Sequence, residues 1–354
     1  MLGRMRRVTT IGIGAVTLSA CIVLGGWGPN ATSASPASGA GTQAKTHKKL
    51  TSIYFILNWL PNTEFAGLWV AQQKGWFQHA GFKLGFKPWA NGVFPETQVP
   101  ERGGDTFGFQ SGAAIAIAAS RGAPDVAVYT DTQHSVFALT VMAKSKIHKL
   151  TDLKGKRIGF QSHEFYVPAT MMADVGISQS EWHPVTVGFD TSELTSGHVD
   201  AYLTFLTNEP IALRLAGVKT RSFPAANYGF HFYDDVMFTT SNLIKSNPGL
   251  VHKVVKVVAR GFAWAHEHPA AAAKLVVKHY FPAPKGTKAA LNLRQQVLES
   301  EALAKSANTG GHTFKGTMTK SYWQDSINTL SKYHEITKKP SVNSIFTNRF
   351  NPYK

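Results

Sequence analysis

The stretch ILNWLPNTEFAGLWVAQQKGWFQHAGFKLGF, residues 56–86, decides how the rest of the chain is read. It closes an apolar strand, Ile53-Tyr54-Phe55-Ile56-Leu57, and breaks at Asn58-Trp59-Leu60-Pro61-Asn62, a loop with two amides and an indole. A helical pattern follows, with apolar Leu68, Val70 and Ala71 before Gly75-Trp76-Phe77. Gly81 ends it, and a second strand begins near Phe82. This is the repeating unit of an open α/β sheet, in which ligands sit just beyond the carboxyl ends of strands, at a loop entering a helix. Asn58, Trp59 and Asn62 occupy that place. An indole offers a flat apolar face and amides offer both donors and acceptors, which suits a planar heterocycle with polar edges. The same residues also describe a strand-capping Asn beside a core Trp.

The alternation continues along the chain. Residues 106–110, 126–129, 137–143, 157–160, 185–189 and 201–205 read as strands, and 236–240 as a strand returning to the first lobe. Helices follow over 250–268 and 269–279. Such alternation argues for right-handed crossover units and mainly parallel sheets. Two lobes are expected, the second inserted into the first: lobe 1 from 50–145 and 236–354, lobe 2 from 146–235.

The N-terminus reads differently. Arg4, Arg6 and Arg7 precede an uncharged apolar run over 8–20, the pattern of an export signal and too short for a membrane span. It ends Leu18-Ser19-Ala20-Cys21, which resembles a bacterial lipobox, where the Cys is lipidated and becomes the mature N-terminus. Cys21 is the single cysteine of the chain, and an odd Cys in an exported protein calls for an explanation that lipidation supplies. The alternative is cleavage near 34–40, with Cys21 incidental. Residues 1–21 are thus expected to be signal peptide and lipobox. Residues 22–49, rich in Ser, Ala, Gly, Pro and Thr, are expected to be a flexible tether. The expected location is the outer face of the cytoplasmic membrane, with Cys21 touching its surface.

Composition excludes several classes. The 354 residues carry 37 Lys and Arg against 21 Asp and Glu, a formal charge of +16. Such an excess suits nucleic acid or an anionic surface. No Arg-rich helix, zinc spacing or aromatic RNA-binding motif accompanies it, so no nucleic-acid partner is expected. His266-Glu267-His268 lacks the i, i+4 pair of a zinc hydrolase. Gly103-Gly104-Asp105 and Thr309-Gly310-Gly311 are turn signals, and no G-x-S-x-G elbow occurs. One cysteine excludes thiolate metal clusters. The reading is a non-catalytic protein with no cofactor and no metal.

The segment NWLPNTEFAGLWVAQQKGWFQHAGF resembles the signature of extracytoplasmic binding proteins for thiamine pyrimidine precursors, roughly W-x-P-N-T-x-x-x-G-x-(Y/W)-V-A-x-x-x-G-(Y/W)-(Y/F)-x-x-x-G. The likeness continues through Thr106-Phe107-Gly108-Phe109, Leu153-Lys154-Gly155-Lys156-Arg157-Ile158-Gly159, Val199-Asp200-Ala201, Asn247-Pro248 and Ile345-Phe346-Thr347-Asn348. It spans about residues 50 to 350 in one order. The resemblance implies a two-lobed α/β fold of the type II periplasmic-binding-protein class. It implies a monomeric receptor that holds a small heterocyclic ligand between its lobes and delivers it to an ABC permease.

The resemblance also sorts candidate site residues. Gln110 ends a strand, where its amide would face the switch point. His134 lies in a Gln-His pair that the family tends to carry, although a lone His is more often structural than a ligand contact. Gln161 and Glu164 sit in a loop opening a second-lobe helix, whose N–H groups suit an anion. Asn208 and Glu209 follow the strand that begins Asp200-Ala201, at the family's spacing for a Glu. A carboxylate there accepts hydrogen bonds from an aminopyrimidine edge; an exposed loop Glu is the alternative. Tyr228 would be an aromatic wall. Two features depart from the pattern: Glu64-Phe65 stands where Asn-His is common, and Thr207-Asn208 replaces Gly-Trp. Riboflavin, another planar heterocycle, and a sulfonate are the alternative ligands. The related thiamine pyrimidine synthases carry a Cys-rich run that would fall at 229–233, a cofactor-bearing Lys at Gln110 and a reactive His at Ala114; this chain has none of them.

Overall fold

The computed structural model describes residues 49–90, 92–307 and 315–353. The expected signal peptide with Cys21, and the expected tether apart from Lys49, lie outside the described residues. Ten strands build two five-stranded sheets. The first holds β1 (Thr51–Ile56), β2 (Phe82–Lys87), β3 (Thr106–Gln110), β4 (Asp125–Thr130) and, after a long excursion, β10 (Val236–Thr240). The second holds β5 (Phe137–Met142), β6 (Arg157–Phe160), β7 (His183–Thr186), β8 (Ala201–Phe205) and β9 (Thr220–Pro224). Their orders are β2-β1-β3-β10-β4 and β7-β6-β8-β5-β9.

The two orders are one pattern used twice. In each sheet the first three neighbours pair in parallel, and the fourth strand runs against both its partners. Four strands therefore run one way and one against. The reversed strands, β10 and β5, are those the chain enters on crossing from the other sheet.

Sequence and structure differ at one boundary. The strand expected at 137–143 in the first lobe is β5, which pairs with β8 and β9 of the second sheet. The first crossing is at 131–136, ahead of this strand, rather than near 145. A strand buried on both faces carries no sign of which sheet it belongs to. The strand read at 185–189 runs over His183–Thr186. The half-exposed edge strand β9 and the helices Pro95–Arg102, Ala289–Ala307 and Lys320–Lys332 escaped the pattern reading.

Local chemistry sets the scaffold. The helix Pro248–Glu267 begins with Pro248 in its first turn, and Asn247 Oδ1 accepts from Leu250 N (3.1 Å), both strong start signals. Val251, Val254, Val255, Val258 and Phe262 form its buried stripe. It crosses the helix Ala66–Gln73 with Gly261 against Gly67, so closely that a Cβ at Gly261 would overlap the Gly67 carbonyl. Glycine is required there for backbone approach.

The two crossings between sheets bind each other. The hydroxyls of Thr130 and Thr132 both donate to the Asp234 carbonyl, and Val136 N donates to Asp234 Oδ2 (2.7 Å). Asp235 follows at φ 49°, a left-handed backbone that few non-glycine residues adopt. These bonds join the segments about which the lobes would turn. Among the described residues no helix is long and apolar enough to cross a membrane.

Candidate ligand-binding cleft

The loops that follow β1, β6 and β8 meet between the two sheets. From the first lobe come Asn58, Trp59 and Glu64; from the second come Gln161, Glu164 and Glu209. Phe137, Leu203, Thr204 and Phe205 complete the wall of one buried cavity. Its cavity volume is about 10 Å³, far less than a ring needs, so a ring enters only with the lobes moved apart.

Trp59 is 8 % exposed. Its ring stacks on Trp89 (centroids 5.7 Å apart, 28° between planes), and Phe189 meets it edge-on at 6.3 Å. Core packing and cavity lining are thus both true of this indole. Asn58 beside it is buried, and its Oδ1 has no hydrogen-bond partner. An unpaired buried amide oxygen is costly, which marks it as an acceptor facing the cavity.

The second-lobe wall is polar. Gln161 Nε2 donates to Gly188 O (3.1 Å) and Tyr202 Oη (3.0 Å), which fixes its amide. Glu209 Oε2 accepts from Phe205 N (2.8 Å), bending the carboxyl back toward the end of β8. The Glu164 N–H donates to Gln161 O (2.9 Å), and its carboxylate faces the cavity, so this loop presents acid rather than an anion cradle. Trp89 Nε1 donates across the lobes to His163 Nδ1 (3.0 Å), which puts the imidazole proton on Nε2, 3.4 Å from Glu164 Oε1. The Ser111 and Tyr166 hydroxyls, 2.6 Å apart, tie the lobes at a second point.

Electrostatically the cavity inverts the rest of the chain. Three carboxyls line it and no Lys or Arg does, in a protein of formal charge +16. Burial pushes the Glu209 carboxyl up to about 7, against the backbone N–H groups of Glu209 and Phe205 that hold it down. Burial also raises Glu64 well above the usual carboxylate range, helped by the charge and hydrogen bond of Asp235 behind it. Asp235 itself is pushed up to about 7, chiefly by burial. Carboxyls poised this way accept hydrogen bonds when ionised and donate when neutral. Ionised, the lining favours an edge rich in N–H donors and repels an anion.

The other sequence candidates sit elsewhere. Asn62 is scaffold: its Nδ2 donates to Glu299 Oε1 (2.8 Å) and its Oδ1 accepts from Glu64 N (3.1 Å). Gln296 Oε1 accepts from Thr63 N (3.0 Å), so the helix Ala289–Ala307 holds this loop. Asn62 and Asn208 line a separate outer groove. The Gln110 amide is engaged by Glu96 Oε2 (2.9 Å) and Ser111 N (2.8 Å), and it does not line the cavity. His134 is exposed, edge-on to Tyr322, and Tyr228 lies half-buried against Phe223; neither lines the cavity. Glu64 was legible only as a departure from the family pattern. Thr204 and Phe205, at the end of the strand before Glu209, had no signal beyond that position.

A model of the NMT1/THI5-like family matches residues 62–272. The chain belongs to the NMT1/THI5-like family. It is similar to the riboflavin-binding protein RibY of Chloroflexus aurantiacus, with 26% identity over 83% of each chain. It is also similar to the formylaminopyrimidine-binding protein of Halalkalibacterium halodurans, with 24% identity covering 84% of this chain and 90% of that one. Both relatives are solute-binding proteins by name. Among solved structures, the alkanesulfonate-binding protein SsuA from Xanthomonas axonopodis pv. citri, bound to MOPS, superposes with a TM-score of 0.63 at 15% identity, over 84% of this chain and 98% of that one. The fold is that of the periplasmic binding proteins.

Proposed function

We propose that this family member is the solute-binding receptor of an ABC importer. In this reading it captures a thiamine pyrimidine precursor, an aminopyrimidine, between its lobes and hands it unchanged to a permease. The observation that carries the reading is that Asn58 and Trp59 of one lobe and Glu209 of the other bound the same buried cavity. Trp59 stacks on the ring, while Asn58 Oδ1 and the Glu209 carboxylate accept hydrogen bonds from its edge from opposite lobes. Closing two lobes over a ligand shifts an open–closed equilibrium, which gives a permease a shape to recognise. The protein acts as an exported monomer, tied to the membrane through lipidated Cys21.

A single ring asks for less opening of this nearly closed cavity than a tricyclic flavin does. Riboflavin is the second reading, supported by the likeness to a riboflavin-binding relative. A sulfonate fits poorly, because its charge would face three carboxyls with no Lys or Arg in the lining. An enzymatic role is not part of the proposal. Gln110 and Ala114 stand where synthases would carry Lys and His, and neither side chain can form a Schiff base or move an imidazole proton.

The test is a binding panel. Isothermal calorimetry and thermal shift with 4-amino-5-hydroxymethyl-2-methylpyrimidine, riboflavin and an alkanesulfonate should give heat and a raised melting temperature with the pyrimidine and none with the sulfonate. Binding of the sulfonate alone, or chemical conversion of the pyrimidine, would overturn the proposal.

A further inference from the structure

Outside the cavity lies an open groove, walled by both lobes, with a volume of about 560 Å³. Trp59 and Glu209 line both spaces, so the groove begins where the ring site ends. Its chemistry differs from that of the cavity. Amides and hydroxyls share its wall with apolar side chains: Asn208 and Thr191 from the second lobe and Asn292 and Gln295 from the helix Ala289–Ala307 stand among Leu60, Phe189 and Phe281. Gln295 Nε2 donates to Asn208 Oδ1 (3.1 Å), which leaves Gln295 Oε1 as an acceptor and Asn208 Nδ2 as a donor. Asn292 Nδ2 donates to Phe281 O (3.1 Å), which leaves its Oδ1 as a second acceptor.

The mixture is selective. A phosphate or sulfonate needs donors and positive charge, and the groove has no Lys or Arg but carries Asp190 and Glu209. An ammonium would pair with Asp190 and Glu209 but would leave the Asn208 Nδ2 and Thr191 hydroxyl donors unused. A hydroxyl both donates and accepts, and a chain of hydroxyls meets side chains that do the same. Phe189, 49 % exposed at the mouth and edge-on to Trp59, offers an apolar surface for the carbon side of such a chain.

We propose that this groove is a second subsite, which holds a neutral, hydroxyl-bearing tail of the ligand whose ring fills the cavity. The inference rests on the heterocycle reading of the cavity and adds the nature of the substituent.

Two matched series test it on the purified full-length protein: cytosine, cytidine and cytidine monophosphate; lumiflavin, riboflavin and riboflavin phosphate. In a series whose ring binds, the hydroxylated member should bind about tenfold tighter than the bare ring, the gain of two or so net hydrogen bonds, and the phosphate should lose that gain. The double variant Thr191→Val with Gln295→Leu should bring the tail-to-ring affinity ratio to within about twofold. Asn208→Ala gives the same readout should the double variant melt early. Trp59→Ala, by contrast, should weaken both members of a pair. Equal affinities within each pair, a phosphate that binds tightest, or a tail gain that survives both variants would overturn the inference while leaving the ring site standing. Failure of both series to bind would overturn this inference, and failure of 4-amino-5-hydroxymethyl-2-methylpyrimidine as well would remove the heterocycle reading with it.

Discussion

The two sheets share one strand order, yet the ends of their equivalent strands do different things. β1 and β6 hold the same place in their sheets. The end of β1 delivers an indole backed by another indole; the end of β6 delivers a fixed amide and a carboxylate. β3 and β8 are equivalent as well. The loop after β8 brings Glu209 into the cavity, whereas Gln110 at the end of β3 is turned aside by Glu96 and the Ser111 N–H. Topology therefore defines which positions are eligible for a site. Local hydrogen bonds decide which eligible residues reach it.

The first lobe's contribution should be the costlier to remove. Trp59→Ala empties space beside Trp89 and Phe189, so it should lower stability by ~3–5 kcal/mol, as for other buried aromatics. It should also weaken ligand binding by about tenfold or more. Urea unfolding and calorimetry on one preparation separate the two effects. A variant that keeps its stability would make Trp59 a lining residue only.

The scaffolds behind the lobes can be compared by adding one methyl to each. Gly261→Ala drives a Cβ into the Gly67 carbonyl where two helices touch, and should cost about 3 kcal/mol or leave the protein unfolded. Gly159→Ala, in β6, meets Val199 at 3.1 Å and Val187 at 3.3 Å, side chains that can shift, and should cost about 1 kcal/mol. Equal melting temperatures would remove the claimed difference in rigidity.

These elements also mark what could be read in advance. The stretch 56–86 predicted strand, loop, helix and strand, and β1, the helix Ala66–Gln73 and β2 appear there, because amphipathic period and glycine punctuation are local signals. The strand pattern of β5 was legible but its sheet was not, since membership depends on β8 and β9, some sixty and more residues away. The role of Asn62 depends on Glu299, 237 residues distant, and that of Gln110 on Glu96, in a helix that pattern reading missed. Residues placed by backbone position were legible, Asn58 from its strand end and Glu209 from the spacing that the family resemblance implies. Residues placed by a distant partner were not.

Acidity should separate the cavity from the basic exterior. Folding raises the carboxyls of Glu209 and Asp235 to about 7, so each contributes stability that is whole below its ordinary pKa and lost as pH rises through about 7. Without ligand, the melting temperature should fall between pH 5 and pH 8, by an amount equivalent to roughly 2–3 kcal/mol per group. Glu209→Gln should flatten that slope. A melting temperature that is level or rising over this range would mean that these carboxyls are not held in their neutral form.

The central claim is that a ring sits between Trp59 of one lobe and Glu209 of the other, while the equivalent strand end at Gln110 stays out of contact. Calorimetric titration of the parent, Glu209→Gln and Gln110→Ala with 4-amino-5-hydroxymethyl-2-methylpyrimidine tests it most directly. The account predicts that Glu209→Gln weakens binding about tenfold or more, the cost of a charged hydrogen-bond partner, and that Gln110→Ala stays within about twofold of the parent. Undiminished affinity in Glu209→Gln, or a larger loss in Gln110→Ala than in Glu209→Gln, would contradict it.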